Sequence, residues 1–262
     1  MARLDASILP VVTDLARGLR ALGIQFAVVG ALVPELLLDV PPDRITNDAD
    51  VTVTLESLAE FEQLKDRLAG FGFMRTASPY RLLHRSGGRV DILPFSHAIA
   101  PEGHLELQRD RVLNMAGFEH VVPSAQETAI DGGPTLPLIP LPLYALLKLV
   151  AFDDRRAPKD LAGILHCLRH YPIDDGRRYG AEHHGVGVPF EYSSAYLLGV
   201  DGQVFLGRQL TETVAKVLDR FGDIDADVVE IVLREQGRIA IEENERKDVF
   251  DQFRWYRFGV GL

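Results

Sequence analysis

The sequence has little cysteine and no long uninterrupted hydrophobic run. Its one cysteine, Cys167, excludes an internal disulfide bond and falls in an apolar helical pattern, as a core residue in a reducing compartment would. The most apolar window, residues 134–152, holds four prolines and Lys148, so it does not suit a membrane span. The N-terminal residues form an amphipathic pattern that includes Arg3, Asp5 and Asp14, and they lack the uninterrupted apolar stretch of a signal peptide. We therefore expect a cytoplasmic protein with no membrane partner.

Positive charge is also scarce. The chain has 28 Lys plus Arg against 38 Asp plus Glu, a net charge of −10, which opposes a broad basic surface for coating nucleic acid. We expect no DNA partner, although Arg75, Arg81, Arg85 and Arg89 leave room for a local RNA contact. The sequence contains neither a Gly-x4-Gly-Lys-Ser/Thr phosphate loop nor a dinucleotide-binding fingerprint. Two common nucleotide-binding motifs are thereby excluded.

The first half of the chain alternates helical and strand patterns. Apolar residues recur at helical spacing over residues 8–22 and 55–73, while residues 24–30, 48–55 and 80–95 carry strand patterns, the last of them as two strands. These patterns predict a small mixed β-sheet with flanking helices.

The second half is predicted to be mainly helical. Prolines and glycines are densest between residues 123 and 142, and we place a domain boundary near residue 140. Residues 172–206 resist assignment by pattern. The predicted fold class is α+β, with a mixed-sheet domain over residues 1–140 and a mainly helical C-terminal domain over residues 141–262.

Two aspartates begin the strand pattern "DADVTVTL". Because side chains alternate along a strand, Asp48 and Asp50 share one face, about 7 Å apart, while the apolar residues between them share the other. Two like charges at this distance repel unless water or a cation compensates them. Hard cations such as Mg²⁺ bind through one or two carboxylates plus substrate phosphates. The alternative is a solvated strand face that carries two exposed acids.

A third aspartate follows on a later strand pattern, "RVDILPF". Asp91 points away from its apolar neighbours, so an adjacent strand would bring it onto the face of Asp48 and Asp50. Three acids on two strands suit a two-metal site.

A glycine turn precedes these acids. The strand ending at Gly30 leads into a helix pattern that starts near Ala31, and a helix N-terminus reached through glycine offers free N–H groups to a phosphate. Many strand-to-helix turns contain glycine, so the turn alone is a weak signal. Its position about one helix before Asp48 is what favours a role in phosphate binding.

The segments "VVGAL", "RITNDADVTV" and "RVDILPF", together within residues 25–95, resemble the signature of the DNA polymerase β-like nucleotidyltransferase superfamily. More narrowly, Arg44, Thr46, Asp48 and Asp50 resemble the Arg-x-Thr-x-Asp-x-Asp element of the AbiEii-type nucleotidyltransferases. That family includes toxins of toxin–antitoxin systems, some of which modify the acceptor end of tRNA. The resemblance implies a nucleotidyltransferase fold and a catalytic domain over residues 1–140.

The resemblance also implies roles for particular residues. Asp48, Asp50 and Asp91 would be the catalytic and metal-binding residues of a site with two Mg²⁺ ions, for which Mn²⁺ can substitute, and Asp91 would help to deprotonate the acceptor hydroxyl. The nucleotide and its phosphates would be bound by Gly30, Ala31, Arg44, Thr46, Lys148, Arg155, Arg156, Lys159 and Asp160. For the last five, in "LLKLVAFDDRRAPKDL", the alternative is a solvated helix end.

The implied activity is transfer of a nucleoside monophosphate from an NTP onto an acceptor, with release of pyrophosphate. The tRNA 3′ acceptor end and a small antitoxin protein are the partners that the family suggests. Two alternatives stay open: an antibiotic-type enzyme that modifies a small molecule, and an inactive domain that binds a nucleotide or a protein. Ala31 keeps the last one open, because the superfamily usually has Gly or Ser there.

Overall fold

The computed structural model describes residues 4–40, 46–108, 111–183, 187–238 and 240–262. The chain forms two compact units: unit 1 comprises Met1–Leu37 and Pro41–Pro140, and unit 2 comprises Leu38–Val40 and Leu141–Leu262. The main division thus falls between Pro140 and Leu141.

Unit 1 combines one large sheet with short helices. Its strands are β1 (Phe26–Val28), β2 (Asp48–Thr54), β3 (Phe73–Arg75), β4 (Arg81–His84), β5 (Arg89–Phe95), β6 (His104–Gln108), β7 (Arg111–Asn114), β8 (Gln126–Ala129) and β9 (Thr135–Leu138). Its helices are α1 (Leu9–Ala21), α2 (Leu32–Leu37), α3 (Leu58–Leu68) and α4 (Val121–Ser124), with 3₁₀ turns at Ala69–Phe71 and Phe118–His120.

The large sheet has seven strands in the order β3-β4-β5-β2-β1-β9-β8, while β6 and β7 pair separately. The pairs β2–β5 and β1–β9 are parallel, and the other pairs of the large sheet are antiparallel. The sheet is therefore mixed, with β2 between β5 and β1. Together with the helical unit 2, this confirms the predicted α+β class.

Periodicity explains the elements that surround β2. Helix α1 buries Val11, Val12, Leu15 and Leu19 along one stripe, as its spacing predicts. Helix α3 is capped at its N-terminus by Ser57, whose hydroxyl accepts a hydrogen bond from the Glu60 amide at 3.2 Å.

Two local expectations needed correction. The helix predicted after Gly30 is only the six-residue α2, which begins at Leu32, one residue later than expected. The sequence predicts only a domain boundary around residue 137, yet this stretch contains β9, which pairs with β1 at Val28 and Leu138. Pro137 obscured this strand because proline cannot donate a ladder hydrogen bond and usually argues against a central strand.

Unit 2 is a helical assembly. Its helices are α5 (Leu141–Arg155), α6 (Pro158–His170), α7 (Asp175–His183), α8 (Ser193–Gly202), α9 (Arg208–Leu218), α10 (Asp227–Glu235) and α11 (Glu243–Val260), with 3₁₀ turns at Phe190–Tyr192, Gln203–Phe205 and Asp219–Phe221. The unassigned region 172–206 thus contains α7 and α8. Cys167 is fully buried in α6, and this burial raises the pKa of its thiol.

Two glycines let α8 and α11 approach at backbone distance. A Cβ at Gly259 would lie 2.0 Å from the Tyr196 carbonyl oxygen, and one at Gly199 would lie 2.5 Å from the Tyr256 carbonyl oxygen. Any larger residue would force the helices apart. Among the described helices of the chain, none is long and apolar enough to cross a membrane.

Glu35 in α2 has a partly buried carboxyl group, whose effect on stability depends on pH. Its Oε2 is buried and accepts no hydrogen bond from the described residues, and burial, with a smaller effect of Asp5, raises the pKa of this carboxyl above its ordinary 4.5. The folded state therefore favours the protonated carboxyl. The contribution of Glu35 to the free energy of unfolding is highest below pH 4.5, and it is lost as the pH rises through the folded-state pKa.

We expect Glu35→Gln to raise the midpoint of thermal unfolding at pH 8 and to have no such effect below pH 4.5. Thermal unfolding followed by circular dichroism from pH 4 to 8 would measure this. The exposed Glu102→Gln is the control, and its curve should follow that of the wild type. An equal gain from Glu35→Gln at all pH values would contradict the assignment to a buried charge.

Candidate functional site

Strand β2 carries the acidic face that the alternation predicts. Asp48 and Asp50 are partly buried, while Ala49, Val51 and Val53 on the opposite face are at most 1 % exposed. The apolar face fixes the register of the strand, because a one-residue slip would bury both carboxylates. The backbone therefore holds Asp48 and Asp50 on one side of the sheet.

Strand β5 places Asp91 next to this pair. In the parallel pairing of β2 with β5, Asp50 is opposite Asp91 and Asp48 is opposite Arg89. Neighbouring strands are about 4.8 Å apart, and residues in register share a face of the sheet. The structure thus brings the three aspartates together on one face, with Arg89 exposed at its edge.

Gly30 lies directly against Asp50. A Cβ at position 30 would lie 1.9 Å from Asp50 Oδ2 and 2.5 Å from Asp50 Cβ and Cγ, distances that no real side chain could occupy. The Val29 amide also donates a hydrogen bond of 3.0 Å to the Asp50 carbonyl oxygen. Glycine is therefore required here because the Asp50 carboxylate fills the space that a side chain would take.

The third aspartate has a partner that sequence reasoning missed. Arg81 on β4 donates from Nε and Nη2 to the two carboxylate oxygens of Asp91, both at 2.7 Å. The antiparallel pairing of β4 with β5 puts these residues opposite each other. Side-chain exposure is 33 % for Arg81 and 15 % for Asp91. The sequence suggests Arg81 only for a local RNA contact, whereas in the structure its guanidinium is bound to Asp91.

The acidic face agrees only in part with the divalent ions that the resemblance implies. Carboxylates suit a hard cation, and the glycine at position 30 leaves room for the Asp50 carboxylate. The Oγ1 atom of Thr52, on the same strand, is buried and has no hydrogen-bond partner among the described residues. Asp48 and Asp50 therefore fit one divalent ion. A site with all three aspartates does not fit, because Arg81 takes both oxygens of Asp91. In the described part of the chain, no group of three or more His, Cys, Asp or Glu residues is arranged to hold a metal ion.

The remaining predicted site residues of unit 1 lie close in sequence to these elements. Ala31 forms the turn between Gly30 and α2, and Thr46 is partly buried just before β2. Arg44 lies outside the described residues. Because α2 has only six residues, its dipole is too small to support the predicted phosphate contact at Ala31 by itself.

In unit 2, three of the predicted phosphate contacts form one ion-pair cluster. Asp160 at the start of α6 is fully buried, and it accepts hydrogen bonds from Lys148 Nζ at 3.1 Å and from Arg155 Nε at 2.7 Å. Burial pushes the pKa of Asp160 upward, but the two cations outweigh it and hold the pKa below its ordinary value. Asp160 thus acts as the anchor of two cations, and its own charge faces them rather than a phosphate.

The other two basic residues of this predicted element differ from Lys148 and Arg155. Arg156 has a φ of 52°, in the left-handed region that glycine usually occupies after a helix, and its Nη2 donates to Asp153 at 3.0 Å. Lys159 is exposed in the first turn of α6. A non-glycine residue held at positive φ is strained, a feature often found at functional sites.

Most of the predicted RNA-contacting arginines are paired with acids. Arg75 binds Glu62 and Asp66, and Arg85 binds Asp14. With Arg81 on Asp91, three of the four arginines are neutralised locally. The expected basic patch is therefore weaker than their number suggests.

The sequence matches no protein-family model, and it has no significant match among curated proteins. Among solved structures, the chain resembles an antigenic nucleotidyltransferase-like protein from Paracoccidioides brasiliensis, at 17% identity and a TM-score of 0.45, covering 86% of this chain and 94% of that one. It also resembles the Thermotoga maritima CCA-adding enzyme complexed with tRNA, at 13% identity and a TM-score of 0.29, covering 99% of this chain and 84% of that one. Similarity at this level does not assign an activity.

Proposed function

We propose that the chain is a nucleotidyltransferase that moves a nucleoside monophosphate from an NTP onto an acceptor and releases pyrophosphate. The observation that carries the proposal is the packing of Gly30 against the Asp50 carboxylate, with Asp48 and Asp91 on the same face of the sheet. An ordinary solvated strand does not need a glycine from another turn to make room for its acid. The resemblance of residues 25–95 to the nucleotidyltransferase signature supports the same proposal.

The chemistry requires alignment and charge neutralisation more than covalent help. In-line phosphoryl transfer places negative charge on the triphosphate, which a divalent ion neutralises when it is bound. Asp48 and Asp50 would hold Mg²⁺, or Mn²⁺ in its place, and their fixed backbone positions would orient it. Asp91 is bound by Arg81 on both oxygens, so its proposed role in deprotonating the acceptor requires that this pair loosen.

The basic residues of unit 2 remain proposed phosphate contacts. Lys148 and Arg155 have more N–H donors than Asp160 uses, and Arg155 is 44 % exposed. Arg156 and Lys159 are exposed and carry the same charge. We propose the tRNA 3′ acceptor end as the acceptor and a toxin role with a small antitoxin partner, both from the AbiEii resemblance.

Incorporation of label from each NTP tests the activity. The purified chain would be incubated with Mg²⁺ and each α-labelled NTP over total tRNA, small hydroxyl acceptors and the protein itself. We expect label in tRNA, and a loss of at least about 100-fold in Asp48→Asn/Asp50→Asn, because the charge-neutralising group would lose its ligands.

The chain offers a control with the same pattern. Asp223 and Asp225 form a second Asp-x-Asp in unit 2, where Asp223 accepts the Asp225 amide within an exposed turn. Asp223→Asn/Asp225→Asn should therefore keep wild-type incorporation. Label in a small acceptor alone would favour the antibiotic-type alternative. No difference between the wild type and Asp48→Asn/Asp50→Asn with every acceptor would favour an inactive binding domain.

Growth after induced expression tests the toxin role. Toxicity that disappears in Asp48→Asn/Asp50→Asn and persists in Asp223→Asn/Asp225→Asn would support it. Normal growth on expression of an active wild-type enzyme would contradict it.

A further inference from the structure

We infer that Arg81 is a built-in cation of the acidic face, which occupies Asp91 in place of a second metal ion and limits the site to one divalent cation on Asp48 and Asp50. This inference rests on the proposed cation site. It differs from the two-ion expectation, because it gives the place of the second ion to a side chain of the protein itself.

The backbone sets the position of Arg81. Arg81 is opposite Asp91 in the pairing of β4 with β5, and Asp91 is opposite Asp50 in the pairing of β5 with β2. The three residues therefore form a row across three adjacent strands of one sheet. A mobile surface arginine would not have its Cα fixed in register with the acid that it binds.

The geometry of the pair leaves no oxygen of Asp91 without a donor. The guanidinium binds both oxygens through parallel hydrogen bonds of 2.7 Å, the bidentate arrangement that is strongest between arginine and a carboxylate. The guanidinium is always charged, so Arg81 and Asp91 form an ion pair as well as two hydrogen bonds.

A second divalent ion would compete with Arg81 for Asp91. It would have to displace Arg81 from Asp91 and give up part of its own hydration shell, which Mg²⁺ does reluctantly.

Arg75 provides a matched control for Arg81. It lies on the neighbouring strand β3 and also bridges carboxylates at short distance, but its partners Glu62 and Asp66 are 54 % and 71 % exposed and lie outside the acidic face. Replacing either arginine removes the same charge from unit 1. Only the replacement of Arg81 would remove it from the site.

Binding of Mn²⁺ to the full-length chain tests the inference. Electron paramagnetic resonance titration would count the ions, and thermal unfolding with and without Mg²⁺ would report their effect on stability. We expect one Mn²⁺ in the wild type, which is lost in Asp48→Asn/Asp50→Asn. Arg81→Met should bind a second Mn²⁺, or bind the first at least tenfold more tightly, and its unfolding temperature should fall without Mg²⁺ and recover with it.

The controls separate this role from a structural one. Arg75→Met should bind Mn²⁺ as the wild type does, and any loss in its unfolding temperature should not depend on Mg²⁺. Arg81→Lys keeps the charge and should keep a single ion. If Arg81→Met does not fold, the number of Mn²⁺ ions bound by the wild type and by Arg81→Lys still tests the inference, because a second ion in either would contradict it.

The role of Arg81 and the proposed function would be overturned by different results. Two Mn²⁺ ions in the wild type, or an Arg81→Met variant with wild-type binding and no dependence on Mg²⁺, would overturn the role of Arg81 and leave the proposed transferase intact. No Mn²⁺ bound by the wild type would overturn the cation site on Asp48 and Asp50, and with it the proposed function.

Discussion

We expect Gly30→Ala to reduce nucleotidyl transfer by about 100-fold or more and to lower the free energy of unfolding by about 1–3 kcal/mol. The added methyl would lie 1.9 Å from Asp50 Oδ2 and 2.5 Å from Asp50 Cβ. Rotation of the carboxylate alone cannot relieve the contact with Cβ, so the backbone of β1 or β2 must shift. Such a shift would displace Asp50 from Asp48 and Asp91, and small displacements of aligned groups are costly to catalysis.

Label incorporation and urea denaturation would measure the two effects. Gly70→Ala is the control, because nothing lies within 4 Å of a Cβ built at that position and the residue is in a 3₁₀ turn of the same unit. Gly70→Ala should retain activity and stability. Wild-type activity in Gly30→Ala would mean that Asp50 need not hold its observed position, which removes the main support for the proposed site.

Asp160→Ala is expected to have the largest effect on stability. Asp160 is fully buried and anchors Lys148 and Arg155, so its removal leaves cations without their carboxylate. Loss of one partner of a buried ion pair costs about 3–5 kcal/mol. Most of this cost should come from Lys148, whose side chain is 15 % exposed, because the 44 % exposed Arg155 can turn to solvent.

Urea denaturation of Asp160→Ala and Asp219→Ala would measure the difference. Asp219 pairs with Arg257 in the same unit, but the two side chains are 61 % and 37 % exposed, and a surface pair contributes only about 0–1 kcal/mol. Adding Lys148→Met to Asp160→Ala should restore part of the lost stability, since it removes the unpaired buried charge. Equal losses in Asp160→Ala and Asp219→Ala would contradict the anchoring role.

The pH dependence of Asp160 has a defined sign. The folded-state pKa lies below the ordinary 3.8, so the stabilisation is complete above pH 3.8 and is lost as the pH falls through the folded-state value. The difference in unfolding free energy between the wild type and Asp160→Ala should therefore narrow only in strong acid.

Local periodicity was enough to predict much of the fold. The stripe of α1 and the alternation of β2 depend only on spacing within the segment, and both are present as predicted. The α+β class follows from the order of such segments. In contrast, β9 depends on pairing with a strand more than a hundred residues earlier, and its proline masked the local signal.

The candidate site was predictable only in part, for the same reason. Asp48 and Asp50 share a face by local geometry, but their proximity to Gly30 depends on the path of a separate turn. The Arg81 and Asp91 pair had a signal that could have been used. Both residues are five positions from Ser86, at the centre of a glycine-containing hairpin, so antiparallel pairing about that turn puts them opposite each other.

The pairing of β1 with β9 has a consequence for synthesis of the protein. A chain emerging from the ribosome contains β1, β2 and β5 well before β9. Val28 in β1 therefore has no strand partner on that side until Leu138 has been synthesised. During that interval the outer edge of β1 has unpaired backbone groups, which can pair with another chain. All residues of the acidic face are thus synthesised before the sheet is complete. The sheet is completed only when β9 is made, immediately before α5.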